Sequence, residues 1–171
     1  MLRQLALLAG GLSVVACGEV NGAQPLAGAA HYAPSDGAWS LQYLSPPWLL
    51  VHGDGETAAL AVAPSLLSID VAHATVTLAI EPKNQAAGPS AANALAAWKS
   101  AHPSGSAPAV PTQIDNRAGQ AGVEFAASDG MSFHREAFFD AQTGCFSLVF
   151  EGRVPVDTAD VTSLIAGFET K

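Results

Sequence analysis

His134 and Glu136 stand two residues apart in the run Met131–Phe139, whose alternation is that of a strand, so both side chains fall on one face. An imidazole beside a carboxylate can pass a proton or, with a third donor, hold a metal ion. The same pair makes an ordinary ion contact on a sheet, which requires nothing further. His31, His52, His73 and His102 are scattered, with no His-Glu-x-x-His and no Cys-x-x-Cys, so zinc has no local signature. Gly53-Asp54-Gly55 lacks the strand–loop–helix setting of a phosphate loop and reads as a turn. There is no Gly-x-Ser-x-Gly, and no Ser, His and Asp are placed as a triad. No catalytic residue, metal ligand or cofactor site is therefore assigned, and an envelope hydrolase or metal-dependent enzyme using His134 and Glu136 is kept as the alternative.

The two cysteines carry different chemistry. Cys145 lies in Cys145-Phe146-Ser147-Leu148-Val149-Phe150, an apolar strand-like run, and is expected to be a small core residue. Cys17 ends a twelve-residue apolar segment, Leu5–Ala16, behind the single basic residue Arg3. A membrane-spanning helix needs about 20 apolar residues, so this segment has the proportions of a secretory leader. Leu12-Ser13-Val14-Val15-Ala16-Cys17 resembles the lipobox of bacterial lipoproteins. That resemblance implies cleavage after Ala16 and fatty chains, palmitate among them, on the sulfur of Cys17. It also implies a product anchored by lipid at the cell envelope, with Gly18 rather than Asp after the cysteine favouring the outer membrane where the cell has one.

Removal of residues 1–16 would leave 155 residues, with six basic against fifteen acidic side chains. One domain of that size buries roughly two-thirds of its unfolded surface. The acidic balance argues against a nucleic-acid partner and against attraction to anionic headgroups, so the lipid must make the attachment.

The elements that must position these residues follow in order. Residues 17–35, rich in Gly, Ala and Pro without apolar period, are expected to be a flexible tether carrying the lipidated cysteine. The domain, 36–171, opens with Trp39, Leu41 and Tyr43 alternating with Ser40 and Gln42, then Trp48–His52 and Thr57–Val62. Ala74–Ile80 is a further strand. Pro89-Ser90 supplies a helix start with a capping hydroxyl, and Pro103 a stop. Between them Ala91, Ala94, Leu95, Trp98 and Ala101 share a face, with Asn93, Ala96 and Ser100 opposite and Lys99 at the border. Ala121–Ser128 and Met131–Phe139 flank Asp129-Gly130 as a hairpin. A two-residue loop there puts Glu124 opposite Arg135 and Phe125 opposite His134. Cys145–Glu151 follows, and a last helix is expected from N-cap Asp157, with Asp160 in its first turn and Val161, Leu164, Ile165 and Phe168 on one face.

This order makes an α+β domain, an antiparallel sheet with helices packed on it. Trp39-Ser40-Leu41-Gln42-Tyr43 with Pro47-Trp48 resembles the Phe-Ser-Leu-x-Tyr-Pro-x-x-Trp opening of PsbP-like domains. Leu44 stands where that pattern has Pro, and Trp48 comes one residue later. Leu164-Ile165-Ala166-Gly167-Phe168 is similar to the family's short closing helix with a terminal Phe. Lipoproteins of the DcrB and LpqN types likewise pair a lipobox with this α/β/α sandwich. The resemblance implies a non-enzymatic accessory module that acts on an envelope protein or a small ligand. No residues matching the ion-related role of the photosynthetic members are identifiable.

Overall fold

The computed structural model describes residues 29–34, 37–44, 48–54, 57–62, 76–153 and 158–171. Cys17 and the leader, the Gly55 end of the expected turn, His73 and Asp157 lie outside the described residues.

The strands are β1 (Ala29–Tyr32), β2 (Trp39–Leu44), β3 (Trp48–Asp54), β4 (Thr57–Val62) and β5 (Val76–Lys83). Helix α1 (Ala87–Ala101) comes next, then β6 (Thr112–Asp115), β7 (Ala121–Ser128), β8 (Ser132–Asp140) and β9 (Cys145–Arg153). Helix α2 (Thr158–Gly167) and β10 (Phe168–Thr170) close the chain. Among the described residues, seven strands form one antiparallel sheet in the order β3-β4-β5-β9-β8-β7-β6, and three form a second, β1-β2-β10. The α+β expectation holds: antiparallel sheets carry two helices packed on them.

Alternation along β8 explains the layers. Ala137 and Phe139 face one way, into a core with Trp39 and Leu41 of β2, Leu78 and Ile80 of β5, Leu148 and Phe150 of β9, and Val161, Leu164 and Ile165 of α2. Phe138 faces the other way, into a second core with Phe125, Ala127 and Cys145, covered by Ala87, Ala91, Leu95 and Trp98 of α1. Each large apolar side chain so enclosed contributes on the order of 2 kcal/mol. Trp39, fully buried, is the hub of the first core, with Tyr32, Phe146 and Phe168 at ring distances of 5.4, 6.4 and 5.6 Å.

Several expectations need correction. Ala29–Tyr32 pairs with β2, so part of the stretch expected to be tether belongs to a sheet. The ladder between β3 and β4 runs through Gly53 to the pair Asp54↔Thr57, so Gly53 and Asp54 are strand residues and not the expected turn. Helix α1 starts at Ala87 and not at Ser90, and its first amide donates to Oδ1 of Asp140 at 2.7 Å. The cap thus comes from the end of β8, while the hydroxyl of Ser90 donates to the carbonyl of Gln85. Pro89 is tolerated because first-turn amides have no partner within the helix. At the far end Ala101 is exposed, and Pro103 stops the helix after the amide of His102 has bonded to Trp98. Phe168 belongs to β10 and not to α2: Gly167 lies against the carbonyl of Gln42, and Phe168 pairs with Leu41.

The β7–β8 hairpin differs from the expected one by two residues. Glu124 is opposite Ala137, Arg135 opposite Ala126, and His134 opposite Ala127. The loop is longer because Oδ1 of Asp129 accepts from the amides of Met131 and Ser132 at 2.9 and 2.7 Å, closing a wider turn. A slip of two keeps every side chain on its expected face.

Candidate functional site

His134, Glu136 and Phe138 project from β8 on the side that carries α1. Backbone pairing sets Glu151 beside His134 and Val149 beside Glu136. Nε2 of His134 lies 3.6 Å from Oε2 of Glu136, and its Nδ1 lies 3.6 Å from Oε1 of Glu151. Both separations permit an ion contact and exceed hydrogen-bonding distance. The imidazole stacks on Phe125 at 5.5 Å and stands 6.4 Å from the ring of Trp98. Trp98 in turn stacks on His102 at 4.4 Å. The expected His–Glu pair among aromatics is therefore present, with Phe125 as a diagonal and not a direct neighbour. Packing on two sides holds the imidazole in place, with 15% of its side chain exposed.

Among the described side chains, His31 and His102 do not join it. His31 stands in β1, in the other sheet, and His102 caps α1, where its Nδ1 lies 3.0 Å from the Trp98 carbonyl. His52 is in β3, and nothing of its side chain is described. Among the described residues no three His, Cys, Asp or Glu side chains converge as metal ligands.

Glu136 is only 6% exposed, and it lines a cleft of about 450 Å³ between α1 and the sheet. Lys83, Asn84 and Gln85 form one end, Ser90, Asn93, Ala94 and Ala97 the helical wall, and Phe138 the sheet side. The volume is in the range of small-molecule sites. Lys83 is already paired, its Nζ 2.7 Å from Oε2 of Glu81. Gln85 and Asn93 are joined at the rim by a 3.1 Å hydrogen bond between their side chains. Sequence reasoning found Glu136 and missed the cleft. Its signal was the pair Ala94 and Ala97, small residues that leave room between helix and sheet.

Cys145 is buried beneath α1, as its apolar run led us to expect, and burial pushes its thiol above the ordinary range. Next to it in β9, the hydroxyl of Ser147 is buried with no hydrogen-bond partner among the described residues.

A solution structure of a cyanobacterial PsbP, CyanoP from Synechocystis sp. PCC 6803, superposes over 91% of this chain and 99% of its own. The TM-score is 0.51 and the identity 12%. The fold is PsbP-like. A crystal structure from Bacteroides thetaiotaomicron VPI-5482 matches at TM-score 0.44 and 11% identity. That match takes in 82% of this chain, which spans about half, 48%, of the other. No protein-family model matches the sequence, and no curated protein matches it either. In this PsbP-like domain the site residues lie on the face of the larger sheet that α1 covers, away from the core enclosed by the two sheets and α2.

Proposed function

We propose that the protein is an accessory module of the bacterial cell envelope, held there by lipid on Cys17, which acts by binding and not by catalysis. The observation that carries this reading is the PsbP-like architecture over nearly the whole length of a PsbP chain, on a sequence headed by a lipobox-like segment. The expected anchor supplies support of its own, since two acyl chains on Cys17 would bind a bilayer firmly. The residues between Cys17 and β1 would stand the domain off the surface.

His134 and Glu136 then serve binding and packing. The imidazole is braced by Phe125 and faced by carboxylates on both nitrogens, an arrangement that orders a side chain. The enzyme alternative would require a nucleophile or a metal beside this pair.

Mass spectrometry of the native protein tests the anchor. The expected product begins at Cys17 and carries the mass of the acyl chains, and Cys17→Ala moves the protein from the membrane to the soluble fraction. An intact leader with an unmodified thiol overturns the reading. A His134→Ala variant that folds and loses a measurable turnover would favour the enzyme instead.

A further inference from the structure

We propose that the cleft between α1 and β8 binds a small organic ammonium ion, a primary alkylamine with a short chain, whose charged head meets the carboxylate of Glu136. This deepens the binding role given above, and rests on it, by naming the class of ligand.

The starting point is an imbalance at Glu136. Its side chain is 8% exposed, and the imidazole nitrogen it faces, Nε2 of His134, is 3.6 Å away. That imidazole is divided between two carboxylates, because Glu151 lies equally far from its other nitrogen. No described donor gives Glu136 a hydrogen bond, although a sequestered carboxylate is stable only with charge-bearing donors around it. Lys83 lines the same cleft, and its ammonium is taken by Glu81. The carboxylate thus faces the cleft with acceptor capacity to spare.

The lining selects among ligands. A divalent cation needs several oxygen or nitrogen donors at once, and no three candidate side chains converge among the described residues. An anion would be repelled by Glu136, on a chain whose formal net charge is −8. A group with N–H donors at one end and methylenes behind it fits both features. Its head satisfies Glu136, and its stem lies on Ala94 and Ala97. The hydrogen-bonded Asn93–Gln85 pair adds polar groups on the exposed side of the cleft.

The full chain, purified in detergent, is titrated with n-butylammonium chloride and followed by NMR and calorimetry. Saturable binding is expected, with shifts on α1 and the middle of β8. Sodium butyrate and n-butanol at equal concentration should give none. Glu136→Gln, which keeps the shape and removes the charge, should weaken binding by about tenfold or more. Ala97→Leu, at an exposed position on the helical wall, should block it by filling the cleft. It carries the test should Glu136→Gln fail to fold. No saturable signal from the wild type overturns the proposal, and so does equal affinity for butyrate or undiminished binding by folded Glu136→Gln. Any of these results removes the ammonium ligand and leaves the lipid at Cys17 to its own mass-spectrometric test.

Discussion

Arg135 and Glu124 form a forked ion pair although they are diagonal and not direct neighbours in the β7–β8 ladder. Nε of Arg135 donates to Oε2 of Glu124 at 2.9 Å, and Nη2 reaches Oε1 and Oε2 at 2.9 and 2.7 Å. The remaining nitrogen, Nη1, donates to Oγ1 of Thr162 at 2.8 Å, so one guanidinium ties the hairpin to α2.

The two side chains are 13% and 15% exposed, which places the pair between surface and core. Arg135→Ala leaves a largely enclosed carboxylate behind and should lose about 2–3 kcal/mol in urea unfolding. Arg135→Lys keeps the charge without the fork and should recover only part of that loss. Equal stability of Arg135→Ala and wild type would show that the pair contributes nothing.

Asp129 organises the turn between the same strands, and its exposed carboxyl is held at about 2 by the amides of Ser132 and Met131. Its folded value lies below the ordinary carboxylate value of about 4. The stabilisation is therefore complete above pH about 4 and lost as pH falls through about 2. Asp129→Ala should be less stable than wild type near neutrality, and the two unfolding curves should converge in that acid window. A gap that persists at the acid end would assign the effect to the shape of the turn and not to its charge.

Two glycines with positive φ separate backbone freedom from crowding. Gly130 has φ +92° and open space where a Cβ would go. Gly144 has φ +77°, and a Cβ there would press on the carbonyl of Lys83. Gly130→Ala should therefore lose about 1 kcal/mol, from conformation alone. Gly144→Ala should lose about 3 kcal/mol, because the close approach of the β8–β9 turn to the end of β5 must open as well. Matching midpoints for the two variants in denaturant titration would contradict this.

Cys145 is enclosed by α1, and burial disfavours its thiolate. Labelling by a thiol reagent should stay slow at a pH where a free thiol ionises, about 8.5, and should accelerate only when the domain opens. Measured on Cys17→Ala, to leave one thiol, a fast native-state reaction would mean that α1 lifts readily from the sheet.

Much of this architecture is legible in the linear chain. Period-two alternation in Trp39–Tyr43 marks β2, the Asp129-Gly130 signal marks β7 as a hairpin arm, the apolar run Cys145–Phe150 marks β9, and the spacing of Ala91, Leu95 and Trp98 marks the buried face of α1. The face assignments survived even where register failed, because a two-residue slip in the β7–β8 hairpin preserves which side each residue takes. That is why His134 and Glu136 were correctly put together on one face.

Other features have no local cause. Strands β1, β6 and β10 are four, four and three residues long, too short to be stable alone, and exist through their pairing partners. The cap of α1 comes from Asp140, which alternation along its own strand cannot announce. Gln120 shows the same dependence, its side-chain amide bonding both the amide and the carbonyl of Thr170 far along the chain. What the residues alone determined is the longer strands and the two helices, the inward face of most of them and the closeness of His134 to Glu136, since these follow from periods of two and 3.6. Only tertiary packing decided how deeply Glu136 is enclosed and that a cleft opens beside it. Depth and empty volume depend on the distance between α1 and the sheet, which is set by side chains meeting from segments remote in sequence.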